Sequence, residues 1–150
     1  MVTRSLHARN AIYCREAIFV SKLLGIDYGS KRVGVALSDD SASVAFAHSS
    51  LSNDSALIPM LASLIRAENV GAVVVGESRD KDGVENSIMK DARIFASKLE
   101  DEMAIAVFFE PEFYSSVEAR RDAGVNHVDA KAAAIILNSF IERSRSKKSA

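Results

Sequence analysis

Four carboxylates stand at points where a folded sheet would bring its acids to one edge: Asp27, Glu77, Glu112 and Asp129. Asp27 closes an apolar run, so its charge faces partial burial and needs a cation or a raised pKa. Asp129 opens a helical stripe formed by Ala133, Ile136, Leu137 and Phe140, which places it at the N-terminal end of a face that packs on a sheet. Glu112 follows the apolar run 103–109, and Glu77 follows the run 70–76 directly. Three of these acids have a plain structural role open to them. Asp27 could cap the turn at Gly29, Asp129 could be an N-cap, and Glu110 and Glu112 could be solvated loop acids. The combination argues for more. Carboxylates drawn together repel unless cations lie between them, and Mg²⁺ or Mn²⁺ suits such oxygens, Mg²⁺ commonly taking only one or two carboxylates. Two ions ~4 Å apart activate a water and stabilise the leaving oxygen of a phosphodiester. Lys31, Arg32, Arg120, Arg121, His127 and Lys131 are near these acids in sequence and could hold backbone phosphates.

The elements that must position these residues follow from the apolar patterning of the chain. Leu23–Tyr28 and Val33–Ser38 are two strands joined by a short turn, hence an antiparallel hairpin, and a weaker third strand near Val44–His48 completes a meander. Leu57, Leu61, Leu64 and Ile65 recur at helical spacing, with Pro59 early in the run. The β-branched run 70–76 predicts a strand covered on both faces. A second helix carries Ile88, Ala92, Phe95, Ala96 and Leu99, and Met103–Phe109 reads as another buried strand. Ser115–Glu118 matches a capping box opening a short helix that Gly124 can close. The last helix spans about Asp129–Arg143. The expected sheet is mixed and five-stranded, an antiparallel meander followed by parallel strands, with helices on its faces, which is the layout of a ribonuclease-H-like α/β fold.

The chain of 150 residues fits one domain. It is 48% hydrophobic and 26% charged, which excludes a wholly disordered protein. A net charge of −1 excludes a blanket polycation, so nucleic acid would be held by local basic clusters. Cys14 stands alone, which rules out an internal disulfide and fits a reducing compartment. No apolar run reaches the ~20 residues of a membrane span. Residues 1–22 hold Arg4, Arg9, Arg15 and Lys22 against one acid, Glu16. They read as an N-terminal extension, poorly ordered or a short helix, with an organelle transit peptide as the alternative. The nuclease domain is expected over 23–143 and a mobile basic tail over 144–150.

Four stretches carry a family resemblance. LGIDYGSKRVGVALSD (24–39), VVVGESRDKDG (73–83), EPEFYSSVEAR (110–120) and HVDAKAAAIIL (127–137) resemble, in order and spacing, the motifs of the YqgF/RuvX family over roughly residues 23–142. These are Holliday-junction-resolvase-like proteins, also described as pre-16S rRNA nucleases. The resemblance implies a cytoplasmic, Mg²⁺- or Mn²⁺-dependent nuclease acting in small-subunit rRNA maturation, as a monomer or weak homodimer, with precursor rRNA or branched DNA as partner and the ribosomal small subunit as a further one. It matches Asp27 to the first catalytic Asp, Glu112 to the Glu of an Asp-Glu-Arg segment, and Asp129 to the helix-borne Asp.

The departures are specific. Pro111-Glu112-Phe113 replaces Asp-Glu-Arg, Gly76-Glu77-Ser78 replaces Gly-Leu-Pro, and His127 replaces a Lys. Glu77 follows a central strand and is therefore an additional candidate ligand, supplementing or replacing Glu112. Three other readings stay open: a Holliday-junction resolvase, a nucleic-acid-binding module of the same fold without catalysis, and an actin-like ATP-binding fragment. The last is disfavoured because such proteins close two domains around ATP and this chain supplies one.

Overall fold

The computed structural model describes residues 21–77, 87–111 and 128–148. Within them lie β1 (Lys22–Tyr28), β2 (Arg32–Ser38), β3 (Ala45–Ser52), α1 (Leu57–Ala67), β4 (Val70–Glu77), α2 (Ser87–Met103), β5 (Ala106–Pro111) and α3 (Val128–Lys148). The five strands form one sheet in the order β3-β2-β1-β4-β5. β1–β2 and β2–β3 pair antiparallel, whereas β1–β4 and β4–β5 pair parallel. This is the mixed meander-then-parallel sheet that the sequence predicts.

Strand alternation divides the core between the two faces. On one face Leu23, Ala36, Ala72, Val74 and Ala106 pack against Ala133, Ile136, Leu137 and Phe140 of α3. On the other, Leu24, Ile26, Val35, Val73 and Val75 pack against Leu57 and Leu61 of α1 and Phe95 and Leu99 of α2. The α3 side of the sheet is built from small residues, so the helix lies close. A Cβ on Gly25 would stand 2.8 Å from the Leu137 Cβ and 2.9 Å from the Ala133 carbonyl oxygen. Pro59 is the third residue of α1, where its missing N–H costs no helical hydrogen bond. Asn69 follows α1 at φ 53°, a left-handed position that Asn tolerates, and turns the chain into β4. At this same end of the sheet, where β1 begins, Lys22 Nζ donates to Glu68 Oε2 at 2.6 Å and lies 3.7 Å from Asp40 Oδ1. This pairing raises the Lys22 pKa and lowers that of Glu68.

Several expected boundaries move. β1 begins at Lys22, which therefore belongs to the sheet and not to the N-terminal extension. β3 runs on through Ser49, Ser50 and Ser52, because an edge strand exposes enough of itself to carry polar residues. The 103–109 run is divided: α2 keeps Met103, Ala104 adopts φ 50°, and β5 starts at Ala106. The basic tail expected over 144–150 is in fact helix as far as Lys148. Neither Gly nor Pro interrupts 138–148, and Arg145 donates to Ser43 Oγ at 2.8 Å. The short helix expected over 115–124 and most of residues 1–22 lie outside the described residues.

Leu137 is fully buried where α3 crosses Gly25. Leu137→Ala is expected to lower the unfolding free energy by about 2–5 kcal/mol, as read from urea denaturation. A loss near zero would contradict the close packing of α3.

Candidate active site

The placement of Asp27 follows from two independent geometric facts. Gly25 faces α3, so Asp27, two residues further along β1, faces it too. Gly34 of β2 is the antiparallel register partner of Asp27, and directly opposite residues share a face. A Cβ on Gly34 would fall 1.8 Å from the carbonyl oxygen of Asp129. The first turn of α3 therefore rests on the backbone of Gly34, next to Asp27.

The helix and strand repeats explain this match. Ala133 lies over Gly25, and Asp129 is four residues nearer the start of α3. Those four residues rise about 6 Å, close to the roughly 6.6 Å spanned by two strand residues from Gly25 to Asp27. Running antiparallel to β1, α3 delivers Asp129 to the level of Asp27. Both acids are half-buried. Asp129 lies inside the first turn of the helix rather than before it, and its Oδ2 accepts a hydrogen bond from Ser50 Oγ on β3 at 3.2 Å. The plain N-cap role is thereby replaced by a long-range contact to the sheet.

The other candidates are distributed differently. Glu77 is buried, and the alternation of β4 aligns it with Val73 and Val75 on the α1/α2 face. The structure thus does not bring Glu77 to Asp27 and Asp129. Glu110 shares the α3 face through Ala106 and Phe108, but it is 2% exposed and lies 3.4 Å from Arg143 Nε. That ion pair fastens the end of β5 to the C-terminal half of α3, where the sequence alone suggests a solvated loop acid. Glu112, Arg120, Arg121 and His127 lie outside the described residues. Among the described residues no group of three His, Cys, Asp or Glu side chains is placed to hold a metal ion. Asp27 and Asp129 supply oxygen donors only, a set suited to a hard divalent cation and not to a softer metal.

The basic candidates frame the same end of the sheet. Lys31 and Arg32 are exposed on the β1–β2 turn, immediately beyond Asp27. Asn53 holds this turn in place, donating from its side chain to the Gly29 carbonyl at 2.8 Å and from its backbone N–H to the Lys31 carbonyl at 2.9 Å. Lys131 lies half-buried two residues after Asp129.

The family model described as RuvX, Holliday junction resolvase, matches residues 21–143. The chain belongs to the RuvX family. Among the relatives of this RuvX protein is one from Nitratidesulfovibrio vulgaris (strain Miyazaki F), named "Putative pre-16S rRNA nuclease". It is 36% identical over 139 residues, covering 85% of this chain and 97% of its own. A protein of the same name from Maridesulfovibrio salexigens is 32% identical over 133 residues, covering 81% and 98%. In fold the RuvX chain is similar to Thermus thermophilus RuvC, solved in complex with a Holliday junction substrate. The TM-score is 0.55 at 13% identity, covering 82% of this chain and 95% of that one.

Gly34 is the point on which the pairing of the two acids turns. Gly34→Ala is expected to lower the unfolding free energy by about 1–3 kcal/mol and to speed amide exchange in the first turns of α3 while leaving β4 protected. Wild-type exchange at the start of α3 would show that the close approach is not what holds it.

Proposed function

We propose that this RuvX protein is a divalent-metal-dependent endonuclease that cleaves structured nucleic acid, acting in 5′-end processing of pre-16S rRNA. The observation that carries the reading is the convergence of Asp27 and Asp129 on Gly34, at the end of the sheet where Lys31 and Arg32 stand exposed. The names borne by the relatives favour precursor rRNA as substrate.

In this reading Asp27 and Asp129 hold Mg²⁺ or Mn²⁺, with Glu112 as the third carboxylate. A divalent ion so held supplies an activated water and neutralises charge building on the leaving oxygen. The chain's own residues do the rest. Asp27 is fixed by its strand and Asp129 by the docked helix, so both ligands arrive preorganised. Lys31 and Arg32 grip backbone phosphates from a turn that Asn53 keeps rigid, which orients the nucleic acid without reading its bases. Arg120, Arg121, His127 and Lys131 extend that grip. The loss of an acid and a cation at Pro111 and Phe113 leaves Glu112 as the one charged residue of that triplet. A cytoplasmic location, the ribosomal small subunit as partner and a monomeric or weakly dimeric state belong to the same proposal.

Branched DNA is the second substrate reading, favoured by the fold shared with a RuvC solved on a Holliday junction. One experiment separates the two: incubation of the purified protein with 5′-extended 16S rRNA precursor and with a four-way DNA junction, in Mg²⁺, Mn²⁺ or EDTA. Metal-dependent cutting of the RNA is expected. Asp27→Asn and Asp129→Asn should each reduce it by about 100-fold or more, while Glu77→Gln should cut normally. RNA binding without cleavage under any metal would instead identify a binding module, and cleavage in EDTA would exclude a metal site. For the turn, Lys31→Ala with Arg32→Ala should weaken binding to all sequences alike and flatten the log–log salt slope by about 1.5–2. An unchanged slope would remove these two residues from the interface.

A further inference from the structure

Ser50 lies in an ordinary-looking His48-Ser49-Ser50 run, yet it makes the contact that defines the geometry of Asp129. Its Oγ is 3.2 Å from Asp129 Oδ2, in a part-buried setting and across 79 positions of sequence. An ionised carboxylate can only accept, so the serine hydroxyl donates. Among the described residues this is the hydrogen-bond partner the structure gives to Asp129. Ser50 is the register partner of Gly34 on β2, and Gly34 in turn is the partner of Asp27 on β1. Ser50, Gly34 and Asp27 therefore form one row across three strands, with the first turn of α3 lying on the middle member. Because that member has no side chain, the serine reaches the carboxylate directly.

We propose that Ser50 is a positioning residue of the cleavage site: its hydroxyl holds one oxygen of Asp129 and leaves the other to face a divalent cation. The proposal rests on the nuclease reading above. The physical gain is preorganisation. A carboxylate pinned at one oxygen does not have to give up rotamer freedom when the cation arrives, and groups that orient metal ligands in this way contribute about 10–100-fold to metal affinity or activity.

The test compares Ser50→Ala, Ser50→Thr and Asp129→Asn in the full chain. Two readouts are taken: the Mn²⁺ dissociation constant by calorimetry without nucleic acid, and the Mn²⁺ concentration that half-saturates cleavage. Ser50→Ala should raise both by about 10-fold, with kcat at saturating Mn²⁺ near wild type. Ser50→Thr, which keeps the hydroxyl, should restore both. Urea midpoints in metal-free buffer should agree between the Ala and Thr variants, separating positioning from general stability. If Asp129→Asn loses Mn²⁺ while Ser50→Ala binds it as the wild type does, the role of Ser50 is overturned and the metal site stands. If neither variant changes Mn²⁺ binding, the nuclease reading itself fails and the role of Ser50 goes with it.

Discussion

The structure depends on one place where two backbones touch with no side chain between them. Asp129 at the start of α3 rests on Gly34 of β2, so closely that any Cβ there would overlap its carbonyl. Helices usually stand off a sheet by the depth of the side chains between them. Here Gly34 removes that layer at one end, and Gly25 with Ala36 thins it further along. Leu137 and Ile136 fill the remaining space and supply the burial that holds the helix down. The geometry of the acids follows, since Asp27 is the strand partner of the glycine on which Asp129 sits.

The two faces of the sheet consequently serve different ends. The α1/α2 face is a packing face: Val73, Val75, Phe95 and Leu99 interlock there, and Tyr28 stacks on Phe95 with ring centroids 5.0 Å apart. The α3 face has its hydrophobic half beneath Leu137 and Phe140 and its acidic end beneath Asp129. Two acids at the same end of the neighbouring parallel strands are engaged differently. Glu110 is consumed by Arg143, and Glu77 stands on the packing face. Face and partner, more than residue type, distinguish these acids from the pair that meets at Gly34.

Much of this is legible in the sequence. The hairpin at 23–38, the buried run at 70–76 and the stripe Ala133-Ile136-Leu137-Phe140 each announce their element, and family motifs align Asp27 and Asp129 with the site. What stays hidden has physical reasons. The face of Glu77 cannot be read because β4 is covered on both sides, and an unbroken apolar run carries no parity. The contact of Ser50 with Asp129 depends on strand register across β1–β3, which leaves no local trace. The division of 103–109 between helix and strand is ambiguous for the same reason that short apolar runs always are: burial suits either element. The extension of α3 beyond Arg143 leaves no stripe in the sequence, since Glu142, Arg143 and Arg145 are exposed. Chain continuity without Gly or Pro is the only local sign.

The central claim is that folding brings Asp27 and Asp129 together to share a divalent cation. The most direct measurement is anomalous diffraction from crystals soaked in Mn²⁺, recorded at the manganese edge. A peak is expected between the two carboxylates and absent from Asp129→Asn crystals. A map with no manganese there at saturating concentration, or with the ion bound elsewhere, would contradict the account.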